Sequence, residues 1–88
     1  MPLFIDVHHT LDKGLTPDAV AELHQKDLAV QANHGVRYLK YWYDPRTGKA
    51  FCLSEAPSPE AVLAVHPEAH ADAKGIIADE IFQVFEGE

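Results

Sequence analysis

The chain is poor in the features that would fix it covalently or place it in a membrane. Its 88 residues contain a single cysteine, Cys52, so no internal disulfide and no C-x-x-C pair can form. The lack of cysteine clusters also argues against a structural zinc knuckle. No apolar run approaches the ~20 residues of a spanning helix, and no signal-peptide pattern precedes the first expected strand. A cytoplasmic location without membrane association is therefore expected. Positive charge is scarce as well. Seven Lys and Arg stand against fourteen Asp and Glu, a net charge of −7, which argues against nucleic acid or an anionic membrane as partner.

What remains is the composition of an ordinary globular domain, 47% hydrophobic and 24% charged. This length predicts one domain, residues 1–88, whose core buries roughly 60–65% of the chain's surface. A core of that size favours pairing, so a homodimer is expected. Six histidines form the one unusual count.

The chain is organised around an opening that occurs twice. Ser58-Pro59-Glu60-Ala61-Val62 with His66 repeats Thr16-Pro17-Asp18-Ala19-Val20 with His24, forty-two residues apart. In each, a hydroxyl caps free N–H groups, and Pro occupies the first helical position, where its missing N–H costs nothing. An acid in the first turn faces the positive end of the helix dipole. Two alike helices predict two alike half-folds.

Between and around them, alternation predicts a strand over Pro2–His9 and a loop from Thr10 to Leu15. The first helix is expected from Pro17 to His34, stopped by Gly35. Its apolar arc holds Ala19, Val20, Leu23 and Val30, but also His24, Asp27 and Gln31, which need partners if buried. The simplest partnership is His24 with Asp27 or a sheet side chain. Val36–Tyr43 and Lys49–Glu55 form a hairpin about Asp44-Pro45-Arg46-Thr47-Gly48. Pro67 predicts a kink or break in the second helix just after His66, followed by a short segment ending at Gly75. An unbroken helix would instead place His66 and His70, at i and i+4, on one face. Asp79–Phe85 supplies the last strand. The order gives an α+β, ferredoxin-like βαββαβ sandwich, a four-stranded antiparallel sheet with both helices on one face.

Alternation divides the sheet residues into two sets. Ile5, Val7, Leu39, Tyr41, Phe51 and Leu53 are taken to face the helices. Phe4, Asp6, His8, Tyr38, Lys40, Trp42, Cys52 and Ser54 then line a bare face, which a second copy would cover. Asp6 and His8 would lie in that dimer gap, with Cys52 a small buried hydrophobe on the covered strand. A separate site is expected in the helix layer around His24, Asp27, His66 and His70. Imidazole nitrogens and carboxylate oxygens suit divalent nickel, zinc or copper, so the candidate metal ligands are Asp6, His8, His24, His66 and His70. His34, in the last helical turn, is assigned a structural role at the dipole's negative end.

Phe4-Ile5-Asp6-Val7-His8, Gly35-Val36-Arg37-Tyr38-Leu39, Tyr41-Trp42, Phe51-Cys52-Leu53-Ser54-Glu55-Ala56-Pro57, the His66 region and Ala78-Asp79-Glu80-Ile81 together carry a resemblance spanning nearly the whole chain. In these residues the chain resembles a family of small bacterial proteins, mostly of unknown function, that includes a ferredoxin-like, dimeric nickel-binding protein. The resemblance implies that fold, a dimer and nickel binding, without assigning individual ligands. The chain departs from the family pattern at Pro67 and over Ala71–Lys74.

Two other functions fit the same pattern. One is a small dimeric ferredoxin-like enzyme of oxygenase, isomerase or cyclase type. It would use His24 or His66 as general base, Asp27 as its orienter, and a pocket of Asp27, Tyr38, Trp42, Cys52 and Glu55. That reading rests on analogy between folds. The other is a binding module without chemistry.

Overall fold

The computed structural model describes residues 1–9, 11, 15–71 and 78–88. The elements are β1 (Leu3–His8), α1 (Pro17–Val30) with a 3-10 turn over Gln31–His34, β2 (Arg37–Asp44), β3 (Lys49–Glu55), α2 (Pro59–Ala69) and β4 (Glu80–Val84). The strands form one antiparallel sheet in the order β2-β3-β1-β4. This is the expected ferredoxin-like α+β arrangement. Most of the expected Thr10–Leu15 loop, and residues 72–75 of the segment expected to follow Pro67, lie outside the described residues.

Both helix openings act as their sequences predict. Thr16 Oγ1 accepts from Ala19 N at 3.1 Å, and Ser58 Oγ accepts from Ala61 N at 3.2 Å. The first helix tightens into its 3-10 turn before Gly35, whose φ of 69° is the left-handed stop that favours glycine. The hairpin closes where Gly48, also at positive φ, donates to the Asp44 carbonyl at 2.8 Å. Phe4, Val36, Tyr38, Cys52, Ala56, Val62 and Val65 form the core between sheet and helices.

Two expectations are corrected. The sheet faces are the reverse of the assignment made from alternation on β1, on β3 and at Tyr38, whereas Tyr41 faces the helices and Lys40 and Trp42 face outward as expected. Phe4, Asp6, His8, Tyr38, Cys52 and Ser54 are buried beneath the helices, while Ile5 and Val7 lie opposite Leu53 and Phe51 on the outer face. Alternation separates two faces without saying which is inside. Here pairing among polar groups decides it. The mixed outcome on β2 comes from an irregularity between Tyr38 and Lys40, where β2 gains a residue against β3. It sends Lys40 and Trp42 outward while Tyr38 and Tyr41 both stay inward.

The helix is the other correction. α2 runs through Pro67 to Ala69 without breaking. Pro67 sits in the last turn, where its missing N–H costs one hydrogen bond, and His70 N still donates to the His66 carbonyl at 2.8 Å. His66 and His70 therefore share a face. Among the described residues no helix is long and apolar enough to cross a membrane.

Candidate metal centre

Four elements bring six chemically active side chains together between the sheet and the helices. β1 supplies Asp6 and His8 two residues apart, hence on one face. The register pairs Asp6 directly with Cys52 on β3. From the helix layer, α1 contributes Asp27, α2 contributes His66, and His70 follows as the C-cap of α2 one turn later.

A hydrogen-bonded chain crosses the layer. His66 Nε2 lies 3.3 Å from Asp6 Oδ2, and His66 Nδ1 lies 3.0 Å from Asp27 Oδ1. That same Asp27 oxygen accepts from His70 Nε2 at 2.9 Å. His66 thus presents one ring nitrogen to each carboxylate, which suits the doubly protonated ring. Burial works to lower its pKa, but the hydrogen bonds and charges of Asp27 and Asp6 prevail and raise it to about 9. For Asp6, burial pushes upward, yet His66 and His8 hold the carboxyl below its ordinary value. Burial lowers the pKa of His70 despite Asp27. Cys52 moves the other way: burial, reinforced by Asp6 and Asp27, pushes its thiol well up.

Two buried polar atoms in the cluster lack a hydrogen bond. One is His70 Nδ1, the other Asp6 Oδ1, although His8 Nε2 stands 3.4 Å from the latter. A cavity of about 30 Å³ lies beside His70, bordered also by His8, His24, Asp27, Cys52 and His66 among others. A single water needs roughly 10–15 Å³ measured this way, so the space suits an ion with a water or two.

The residues match the family of nickel responsive proteins described as SCO4226-like over positions 4–84. The chain belongs to that family. The fold is also similar to the crystal structure of SCO4226 from Streptomyces coelicolor A3(2), with 42% sequence identity and a TM-score of 0.85. The likeness covers 98% of this chain and 99% of that one. No curated protein matches the chain.

The donors present suit a family named for nickel. Asp27, His66 and His70 offer ligand atoms within 4.8 Å of one another, and so do Asp6, His8 and Cys52. All six residues are buried. Nitrogen, carboxylate oxygen and one thiol are donors that borderline divalent metals accept.

The structure thus joins residues that the sequence had divided between two sites. Asp6 and His8 face α2 rather than a dimer gap, and Cys52 is beside them. His24 borders the cavity but does not bond Asp27, whose partners are His66 and His70. Its ring instead packs on Tyr41 at 4.4 Å and Tyr38 at 5.7 Å between centroids, and burial lowers its pKa. Gln31, the third polar residue of that helix face, accepts from Tyr38 N at 2.9 Å. Trp42 and Glu55 lie elsewhere. Trp42 is 49% exposed on the outer face, and Glu55 turns outward beside Arg37, with Nη1 and Oε1 4.0 Å apart.

Two further histidines pair at the surface. His9 meets Glu80, Nε2 to Oε2, at 2.6 Å, and His34 bonds Glu68 of α2. Asp27 and Cys52 were expected in a pocket rather than among ligands. The signals that could have promoted them were the uninterrupted i, i+4 histidine pair and the cross-strand alignment of Cys52 with Asp6.

Proposed function

We propose that this protein binds a nickel-type divalent cation, and that Asp27, His66 and His70 hold it in the layer between helices and sheet. The observation that carries this reading is the convergence of three buried ligand atoms beside a cavity of ionic size. Electrostatics favour it too. Two carboxylates share one imidazolium, leaving local negative charge where a low dielectric strengthens its pull on a cation. The family description, nickel responsive, makes nickel the first ion to test. Binding displaces the His66 proton, so uptake weakens as pH falls. The small cavity does not favour the alternative of an enzyme acting on an organic substrate.

A second copy of the chain is proposed as the partner of the outer sheet face. Trp42 and Phe82 are half-exposed there beside Ile5, Phe51 and Leu53. Lys40 on β2 and Glu80 on β4 stand at opposite edges of that face. A two-fold axis along the strands therefore sets unlike charges against each other across the pair.

Calorimetric titration of chelator-stripped protein with Ni²⁺ tests the metal reading. Expected is micromolar or tighter binding, weakened at least tenfold in His70→Ala and unchanged in His34→Ala. Equal affinity in wild type and His70→Ala would refute the assignment, as would binding abolished by the surface substitution.

A further inference from the structure

We propose that Asp6, His8 and Cys52 form a second cation site, distinct from the helix ligands and bearing a thiolate. Its donors come from β1 and β3, whereas Asp27, His66 and His70 come from α1 and α2. The inference stands without the nickel assignment, because it uses none of the same ligands.

Sheet register sets the geometry. Asp6 and Cys52 are directly paired, and His8 projects from the same face of β1 one step along. One ligand atom from each residue lies within 4.8 Å of the other two. The cysteine does not carry the site alone. Asp6 is wholly buried, and its Oδ1 stands in a long 3.4 Å pairing with His8 Nε2, short of a well-formed hydrogen bond. Leaving a carboxylate oxygen so placed is costly, and a cation between the three donors would satisfy it. Cys52 and His8 both border the cavity, which gives an ion room next to them. The His8 ring stands edge-on to His66, centroids 4.8 Å apart, so the two sites adjoin through imidazole.

One thiolate, one imidazole and one carboxylate suit zinc, nickel or cobalt in the divalent state. On binding, the Cys52 sulfur–hydrogen bond gives way to a sulfur–metal bond and the proton leaves to solvent. No oxidation or reduction is involved.

The test uses Co²⁺ as probe with reduced, chelator-stripped full-length protein, followed by near-ultraviolet absorption. Binding at this site gives a thiolate-to-metal charge-transfer band that saturates at whole-number stoichiometry. Cys52→Ser should remove the band together with one equivalent of cobalt, and Cys52→Ala should do the same. His70→Ala should keep the band. Cobalt uptake without a charge-transfer band in wild type would overturn the proposal while leaving the helix site standing. A band lost in His70→Ala would also overturn it, by making the six residues one site. A band kept in His70→Ala alongside unchanged total binding would instead count against the helix ligands alone. Far-ultraviolet circular dichroism of each variant shows whether it is folded.

Discussion

The two faces of β1 use the same six residues in opposite ways. Inward go Phe4, Asp6 and His8, two of the three polar. Outward go Leu3, Ile5 and Val7, all apolar. Hydropathy alone would seat the strand the other way round. The difference teaches that burial follows pairing as well as apolar area. A carboxylate is admitted to an interior when an imidazolium meets it there, and on the opposite face Leu3 and Ile5 stay partly exposed although Val7 is buried.

The largest effect is expected from breaking the inner pairing. Asp6→Ala leaves His66 charged, buried and short of a partner, a change that typically costs about 3–5 kcal/mol. Ile5→Ala, on the opposite face of the same strand, should cost less. Urea denaturation of the chelator-stripped protein measures both, and a smaller loss for Asp6→Ala would abolish the contrast.

Next in size is a pH effect confined to the inner face. The His66 pKa is raised from 6.5 to about 9. Its stabilisation is therefore complete below about pH 6.5 and is lost as pH rises through about 9, on the order of 3 kcal/mol. His24 and His70 have lowered pKa values, so on their account stability falls as pH drops below about 6.5. Metal-free protein should be most stable near that value. His66→Gln should flatten the alkaline decline while leaving the acid side in place, as unfolding curves across the range will register.

On the outer face the expectation reverses. Trp42→Ser should change the unfolding free energy of dilute protein by no more than about 0.5 kcal/mol, as at other exposed positions. It should nonetheless weaken self-association at least tenfold in sedimentation equilibrium. If association is unaffected, the apolar face has some other use.

The helix caps come below these in size and test the internal repeat. Thr16→Ala and Ser58→Ala should each lose about 1 kcal/mol by thermal unfolding, since each removes the same bond to a third-residue N–H. Smallest of all is His34→Ala. The exposed pair with Glu68 contributes about 0–1 kcal/mol and less in high salt.

Much of the fold was legible because its signals are local. Thr16 and Ser58 are caps wherever they occur before Pro and an acid, Gly35 stops a helix through its own φ, and the Asp44–Gly48 turn closes over five residues. The site was less legible because its bonds span long separations. Asp27 meets His66 thirty-nine residues away, and Asp6 meets it sixty away. Periodicity marked Asp27 as a polar residue on a buried arc, which was the right alarm. It could not say that the partner was on α2 rather than His24, one turn earlier. Pro67 misled for a related reason, since a proline's effect depends on how much helix follows it, and here only the last turn does.

The extra residue in β2 bears on how relatives of different length should be aligned. From Tyr38 to Tyr41 the spacing is odd, yet both rings point inward, so the strand changes phase in its middle. Removing Leu39 would shorten the chain by one residue and leave plain alternation. Tyr41 and Tyr43 would stay inward and Lys40 and Trp42 outward, whereas keeping Leu39 and pairing it without the bulge would turn all four over. Gaps at this position therefore act on the whole second half of the strand, and a substitution table that ignores them will match inward residues with outward ones.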